Sequence, residues 1–115
     1  MKETKKLAAL AAVAALNPEG FTVNAKTMEP VTHGFAVAVE ATQNSFGPEG
    51  LARVLDYAAT HSEVNAIGGW LDTETGKYYY DCVCIVYSER EARALARQNK
   101  QIAIFDLDNM REIRI

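Results

Sequence analysis

Lys77-Tyr78-Tyr79-Tyr80-Asp81-Cys82-Val83-Cys84-Ile85-Val86-Tyr87 is the stretch on which the fold turns. Aromatic and β-branched residues of this kind suit a pleated strand. Side chains alternate across a strand, so Tyr78, Tyr80, Cys82, Cys84 and Val86 share one side. Tyr79, Asp81, Val83, Ile85 and Tyr87 share the other. Neither set is polar, and a strand apolar on both sides is normally covered on both. The run is therefore expected inside a sheet, with a second layer over the face that helices leave open. The N-terminal helix, a second copy of the chain or a ligand are the candidates for that layer.

Upstream, Asp72-Thr73-Glu74-Thr75-Gly76 reads as a turn with Gly76 at positive φ. It joins the run to a strand over Val64–Leu71. Before that, Gly47-Pro48-Glu49 opens a helix over Pro48–His61, with Pro in its first turn. Leu51, Val54, Leu55 and Ala58 form its apolar stripe at i, i+3, i+4 and i+7. Gly34–Glu40 reads as a strand and Phe21-Thr22-Val23 as a short extended piece. Pro30 and its polar neighbours make Ala25–Thr32 a loop. Downstream, Ser88 and Glu91 have capping-box spacing for a helix that buries Ala92, Leu95 and Ala96. Gln101–Leu107 is a further strand, and Met110–Ile115 a short one after an Asp108-Asn109 turn.

From Gly34 onward the order is β-α-β-β-α-β. Two helices covering one face of a four-stranded antiparallel sheet is an α+β, ferredoxin-like arrangement. Right-handed crossovers place the Gly34 and Lys77 strands inside and the Val64 and Gln101 strands at the edges. Residues 1–20 read as an Ala-rich helical segment, running from Glu3 to Leu16 and ended by Asn17-Pro18, ahead of a single α+β domain over 21–115. Lys2, Lys5 and Lys6 before Leu7–Leu16 imitate a signal peptide, the basis for an exported alternative. Glu3 and the high alanine content favour the helix, and with it a cytoplasmic setting.

The 115 residues carry 12 basic and 15 acidic side chains, a formal charge of −3. That length suits one core. The acidic balance disfavours non-specific nucleic-acid binding, and no apolar run is long enough for a transmembrane helix. Cys82 and Cys84 are the only cysteines. Bridging residues so close on extended backbone conflicts with disulfide geometry, and no further Cys pair completes a zinc site. They are expected as buried thiols, with no metal and no cofactor.

Among residues with chemical potential, Gly68-Gly69 interrupts a strand, which suggests a bulge or a close approach by another backbone or a ligand. Trp70 follows, and the Thr42–Ser45 loop carries amide side chains. A binding site is accordingly sought where Gln43, Asn44, Gly69, Trp70, Tyr80 and Asp81 converge. Arg90, Arg93 and Arg97 share one side of their helix and suit an anion or acidic partner, although Glu89 can pair with Arg93 at i+4. His33 and His61 lack a recognised nucleophile partner. Asp72, Glu74, Asp81, Asp106 and Asp108 match no ion loop.

Ile102–Asn109, apolar residues followed by Asp106-Leu107-Asp108, resembles the first motif of haloacid dehalogenase phosphatases. The seven residues after Asp108 leave no room for the rest of such an enzyme, so the motif reads as a strand entering a turn. Asn17–Val23, Thr42–Gly47, Ala66–Trp70, Gly76–Asp81 and Gln101–Asp106 resemble stretches in a group of small single-domain proteins from bacterial mobile elements and prophages. That group has no established activity. The resemblance implies an accessory role in host defence or element transfer.

The sequence thus leads to a non-catalytic binding or interaction module, self-associating as a homodimer or engaging a protein partner. A small hydrolase or nucleotide-processing enzyme using Asp81, Tyr80 and the Gln43-Asn44 loop is the alternative. Nucleic-acid binding through the Arg90, Arg93 and Arg97 face is a second one.

Overall fold

The computed structural model describes residues 2–115, with side chains from Lys5 onward. The described residues form three α-helices and seven strands in an antiparallel sheet. In chain order these are α1 (Lys2–Leu16), β1 (Phe21–Asn24), β2 (Phe35–Ala38), β3 (Ser45–Phe46), α2 (Gly47–Thr60), β4 (Ala66–Asp72), β5 (Lys77–Val86), α3 (Glu89–Gln98), β6 (Ala103–Asp106) and β7 (Arg111–Arg114). A 3-10 turn over Glu40–Thr42 links β2 to β3. No described helix is long and apolar enough to cross a membrane.

Local chemistry explains most boundaries. The Asn17 side-chain amide donates to the Val13 carbonyl at 2.8 Å and ends α1. Pro sits in the first turn of α2. The Ser88 hydroxyl accepts the Glu91 N–H at 3.3 Å and caps α3. Gly76, at φ 76°, closes the β4–β5 hairpin, its N–H donating to the Asp72 carbonyl at 2.8 Å.

The strand order is β1-β4-β5-β2-β6-β7, with β3 pairing the start of β5. β5 and β2 are interior, as expected. The β4 and β6 strands are not edges: β1 adds beside β4 and β7 beside β6, so the sheet is wider than the four strands expected. Both outer edges are blunted against further pairing. Val31 N–H bonds to the Thr22 carbonyl and Asn24 N–H to the Glu29 carbonyl, folding the following loop along β1. On β7, three of the four residues are charged.

All three helices lie on the inner face of the sheet. Leu51, Val54 and Leu55 of α2 join Val23, Ile67, Tyr80, Cys82 and Cys84 of the strands in the largest apolar cluster. Leu10 and Ala14 of α1 belong to the same cluster. The N-terminal helix therefore covers the inner face beside α2 and leaves the outer face to other residues, because its small side chains let it approach α2 closely. Ala92 and Ala96 of α3 pack with Val37 and Ile104 over the other end. Cys82 and Cys84 are buried free thiols.

The outer face receives a partial second layer from the chain itself. Val31 in the loop after β1, together with Leu107, packs on Ala36, Ala66, Val83 and Ile85. Val83 and Ile85 are 5% and 6% exposed under this cover. The remainder of that face lies open.

Candidate functional site: an open groove on the outer sheet face

A groove of about 710 Å³ opens on the outer face beside this cover, bordered by Val31 and Leu107 and reaching Val13 of α1. It runs from the α1–β1 connection at Glu19 and Gly20, across the sheet, to Phe105, Met110 and Glu112. Its floor follows from strand register. Thr22 pairs with Gly68 and Gly68 with Asp81, so these three stand in one row across β1, β4 and β5. Ala36 and Ala38 of β2 continue the floor. Small side chains in the middle of a sheet, flanked by the larger Trp70 and Phe105, are what make the surface concave.

Asp81 is the one acid on this floor whose position on β5 is interior to the sheet. Burial pushes its carboxyl up from an ordinary 3.8 to about 6, with no hydrogen bond or ion pair among the described residues to offset it. A desolvated acid without a partner disfavours its own charge. One step along the strands lies an aromatic row. Trp70 stacks on Tyr79 with ring centroids 5.2 Å apart, and Phe46 meets Tyr79 edge-on at 5.6 Å. Trp70 is 46% exposed and Phe46 43%. The Lys77 ammonium sits 4.2 Å from the Phe46 ring centroid.

Of the six residues sought as a site, four lie on the sheet and divide between its two faces. Trp70 and Asp81 stand together on the outer face and line the groove. Tyr80 points to the inner face, 5% exposed and packed in the main cluster. Gly69 also lines the groove with its backbone, but the side-chain direction there is inward: a Cβ would lie 2.5 Å from the Phe21 ring and 2.8 Å from that of Tyr78. The Gly68-Gly69 pair forms no bulge, since both residues pair regularly with β1 and β5. The close approach expected at this pair is real, but the neighbours are side chains of this chain. Gly68 keeps the groove floor low, with Val83 3.2 Å from where its Cβ would be.

Gln43 and Asn44 are exposed in the connection before β3. Arg53 of α2 braces that connection by donating to the Ala41 carbonyl (2.8 Å), the Ser45 hydroxyl (2.9 Å) and the Gln43 carbonyl (3.3 Å). The polar segment thus serves local structure, and neither amide side chain lines the groove.

The other candidates are dispersed. Arg90, Arg93 and Arg97 line a shallow depression on α3 with Glu89, whose carboxylate receives both Nε and Nη2 of Arg93 at 2.8 Å. His33 bonds the Asp108 carboxylate at 2.8 Å. His61 stacks on Tyr57 with centroids 3.6 Å apart. Asp106 is 3% exposed and accepts from the Asn109 side chain at 2.8 Å, which holds the turn into β7 and pulls its carboxyl below the usual range. The Asp106-Leu107-Asp108 motif is therefore turn chemistry, with Asp108 also accepting the Gly34 N–H at 3.0 Å. Among the described residues, no three His, Cys, Asp or Glu side chains group as metal ligands.

Sequence reasoning identified Trp70 and Asp81 but missed Thr22, Ala36, Ala38 and Gly68 as one surface. Their alternation with larger inward-facing neighbours was visible, yet only strand pairing brings four strands into register. No family model, curated protein or solved structure matches the chain.

Proposed function

We propose that this chain is a non-catalytic binding module whose binding surface is the outer-face groove. The observation that carries this reading is the floor itself: Thr22, Gly68, Ala36 and Ala38 leave a concavity of about 710 Å³ over the middle of the sheet, with Asp81 at its centre. Concave, largely apolar surfaces with few polar groups are the usual form of ligand sites. The imidazoles, which an acid–base or nucleophilic mechanism would draw on, are engaged with Asp108 and Tyr57 away from this floor. We also read the inner strands β6-β2-β5-β4, with α2 and α3 on one face, as a ferredoxin-like core to which β1, β7 and α1 have been added. The order and antiparallel pairing of those four strands support this. An accessory role of the mobile-element kind is compatible with a small binding module.

Nile red, a neutral apolar dye, tests the groove. Saturable binding near one dye per chain is expected, with loss in Ala38→Phe, which fills the floor. Binding that does not saturate, or that ignores the substitution in a folded variant, would overturn the assignment.

Self-association is a second reading, favoured by the exposed Phe46 and Trp70 around Tyr79. With both sheet edges blunted, such a dimer would form through the outer face. Sedimentation should then show a dimer that Trp70→Asp dissociates. A monomer at all concentrations up to about a hundred micromolar excludes a stable dimer of that kind.

A further inference from the structure

We propose that the groove takes a small organic cation, an ammonium group carried on an apolar body, held between the Asp81 carboxylate and the Trp70 ring. The inference rests on the groove reading above and specifies its ligand.

Charge complementarity is the first support. Among the described residues, the charged groups lining the groove are Glu19, Asp81 and Glu112, with no lysine or arginine. An anion would meet only like charge there. A neutral apolar ligand would leave the central carboxylate dehydrated and unpaired, at a continuing cost. An ammonium restores to that carboxylate the partner which no described residue supplies.

Geometry is the second. Trp70 pairs with Tyr79, and Gly68 with Asp81, so Trp70 and Asp81 are diagonal neighbours on adjacent strands. Diagonal neighbours are about 7–8 Å apart. One ammonium can therefore approach the carboxylate at hydrogen-bond distance and remain within roughly 6 Å of the indole face, the reach of a cation–π contact. Gly68 lies between them and has no side chain to obstruct that position.

The aromatic row is the third. It already accepts an ammonium at its far end, where Lys77 lies 4.2 Å from the Phe46 centroid. Trp70, at the groove end, is the stronger cation–π partner of the two. The apolar body of the ligand would lie along Ala38 and Ala36 toward Phe105, on the largely apolar part of the lining.

Three six-carbon probes differing in head group test the assignment: hexylammonium, 1-hexanol and hexanoate. Trp70 is the sole tryptophan, so its emission reports directly, with calorimetry as the second readout. At pH 7.5 hexylammonium should bind saturably and at least tenfold more tightly than the other two. Asp81→Asn should bring it down to the level of hexanol without lowering the melting temperature. Thr22→Lys, which places an internal ammonium in the same row, should weaken it similarly. Equal or tighter binding of hexanoate, or unchanged hexylammonium binding in folded Asp81→Asn, overturns the proposal. If hexanol binds, is lost in Ala38→Phe and is matched by hexylammonium, the cation assignment falls and the groove stands. If neither these probes nor Nile red bind, both fall.

Discussion

At Asp81, opposing effects meet in a single side chain. Burial holds its native carboxyl near pH 6, against 3.8 ordinarily. The native state therefore binds the proton more tightly than the unfolded chain does. Between these two values the folded form holds more protons, so stability falls as pH rises from about 4 to about 6, and the full penalty applies above that. A shift of this size corresponds to a penalty on the order of 1–3 kcal/mol. Asp81→Asn should accordingly raise the melting temperature at pH 7 and flatten its dependence between pH 4 and 6, as followed by circular dichroism. An unchanged profile would show that Asp81 is solvated or paired in solution. Asp106 and Asp108 have lowered carboxyls, through Asn109 and His33 respectively. Their contribution disappears only below the ordinary carboxylate range, so the two effects separate on the pH axis. Gly50 poses a different competition. Alanine is the better helix former by about 1 kcal/mol, but its Cβ would lie 2.4 Å from the Ser45 carbonyl carbon. Backbone cannot yield as a flexible side chain does, and overpacking typically costs about 1–3 kcal/mol. Gly50→Ala should therefore lower stability in denaturant titrations, against its helix propensity.

Among the elements, α1 shows how weak a periodic signal can be while still placing a helix. Alanines surround it, so its sequence marks no broad apolar stripe, and Leu10 is the side chain that decides its docking. Leu10 is 0% exposed and belongs to the same apolar cluster as Leu51, Val54 and Tyr80. Leu10→Ala should cost about 2–5 kcal/mol in denaturant unfolding, in the range for truncating a buried leucine. A cost below about 1 kcal/mol would mean that α1 is not docked on α2 and the sheet. The β4–β5 hairpin and α3 carry their instructions locally. Gly76 has the positive φ its turn requires, and Ser88 supplies the cap. Both were legible because a turn and a cap depend on neighbours within a few residues.

Over the whole molecule, the two thiols report the integrity of the inner core. Cys82 and Cys84 are two residues apart on the same side of β5, beneath the α1–α2 layer. Burial pushes the Cys82 thiol up to about 11. The thiolate is the reactive form, so DTNB at pH 8 should label neither cysteine in the native protein and two per chain after unfolding in guanidinium. Rapid native labelling would place the core open to solvent. Local openings of β5 are expected to track global unfolding, because central strands exchange with the highest free energies of a domain.

What the residues determined unaided were properties of short range: the double-sided apolar character of Lys77–Tyr87, the stripe of α2, the Gly76 turn and the Ser88 cap; one long-range feature, the interior position of β2 and β5, followed from the general handedness of crossovers. Trp70 and Asp81 stood out by type. Tertiary structure alone decided that Tyr80 and Gly69 face away from Asp81, that Gly68-Gly69 is regular strand, that α1 joins the helical face, and that Val31 shields part of the opposite one. It also decided that β1 and β7 close the edges. The physical reason is that a side chain's face and its cross-strand neighbours depend on register between segments tens of residues apart. Thr22, Gly68 and Asp81 become one surface only when three strands pair in a particular alignment, and no local preference in any of them encodes that alignment.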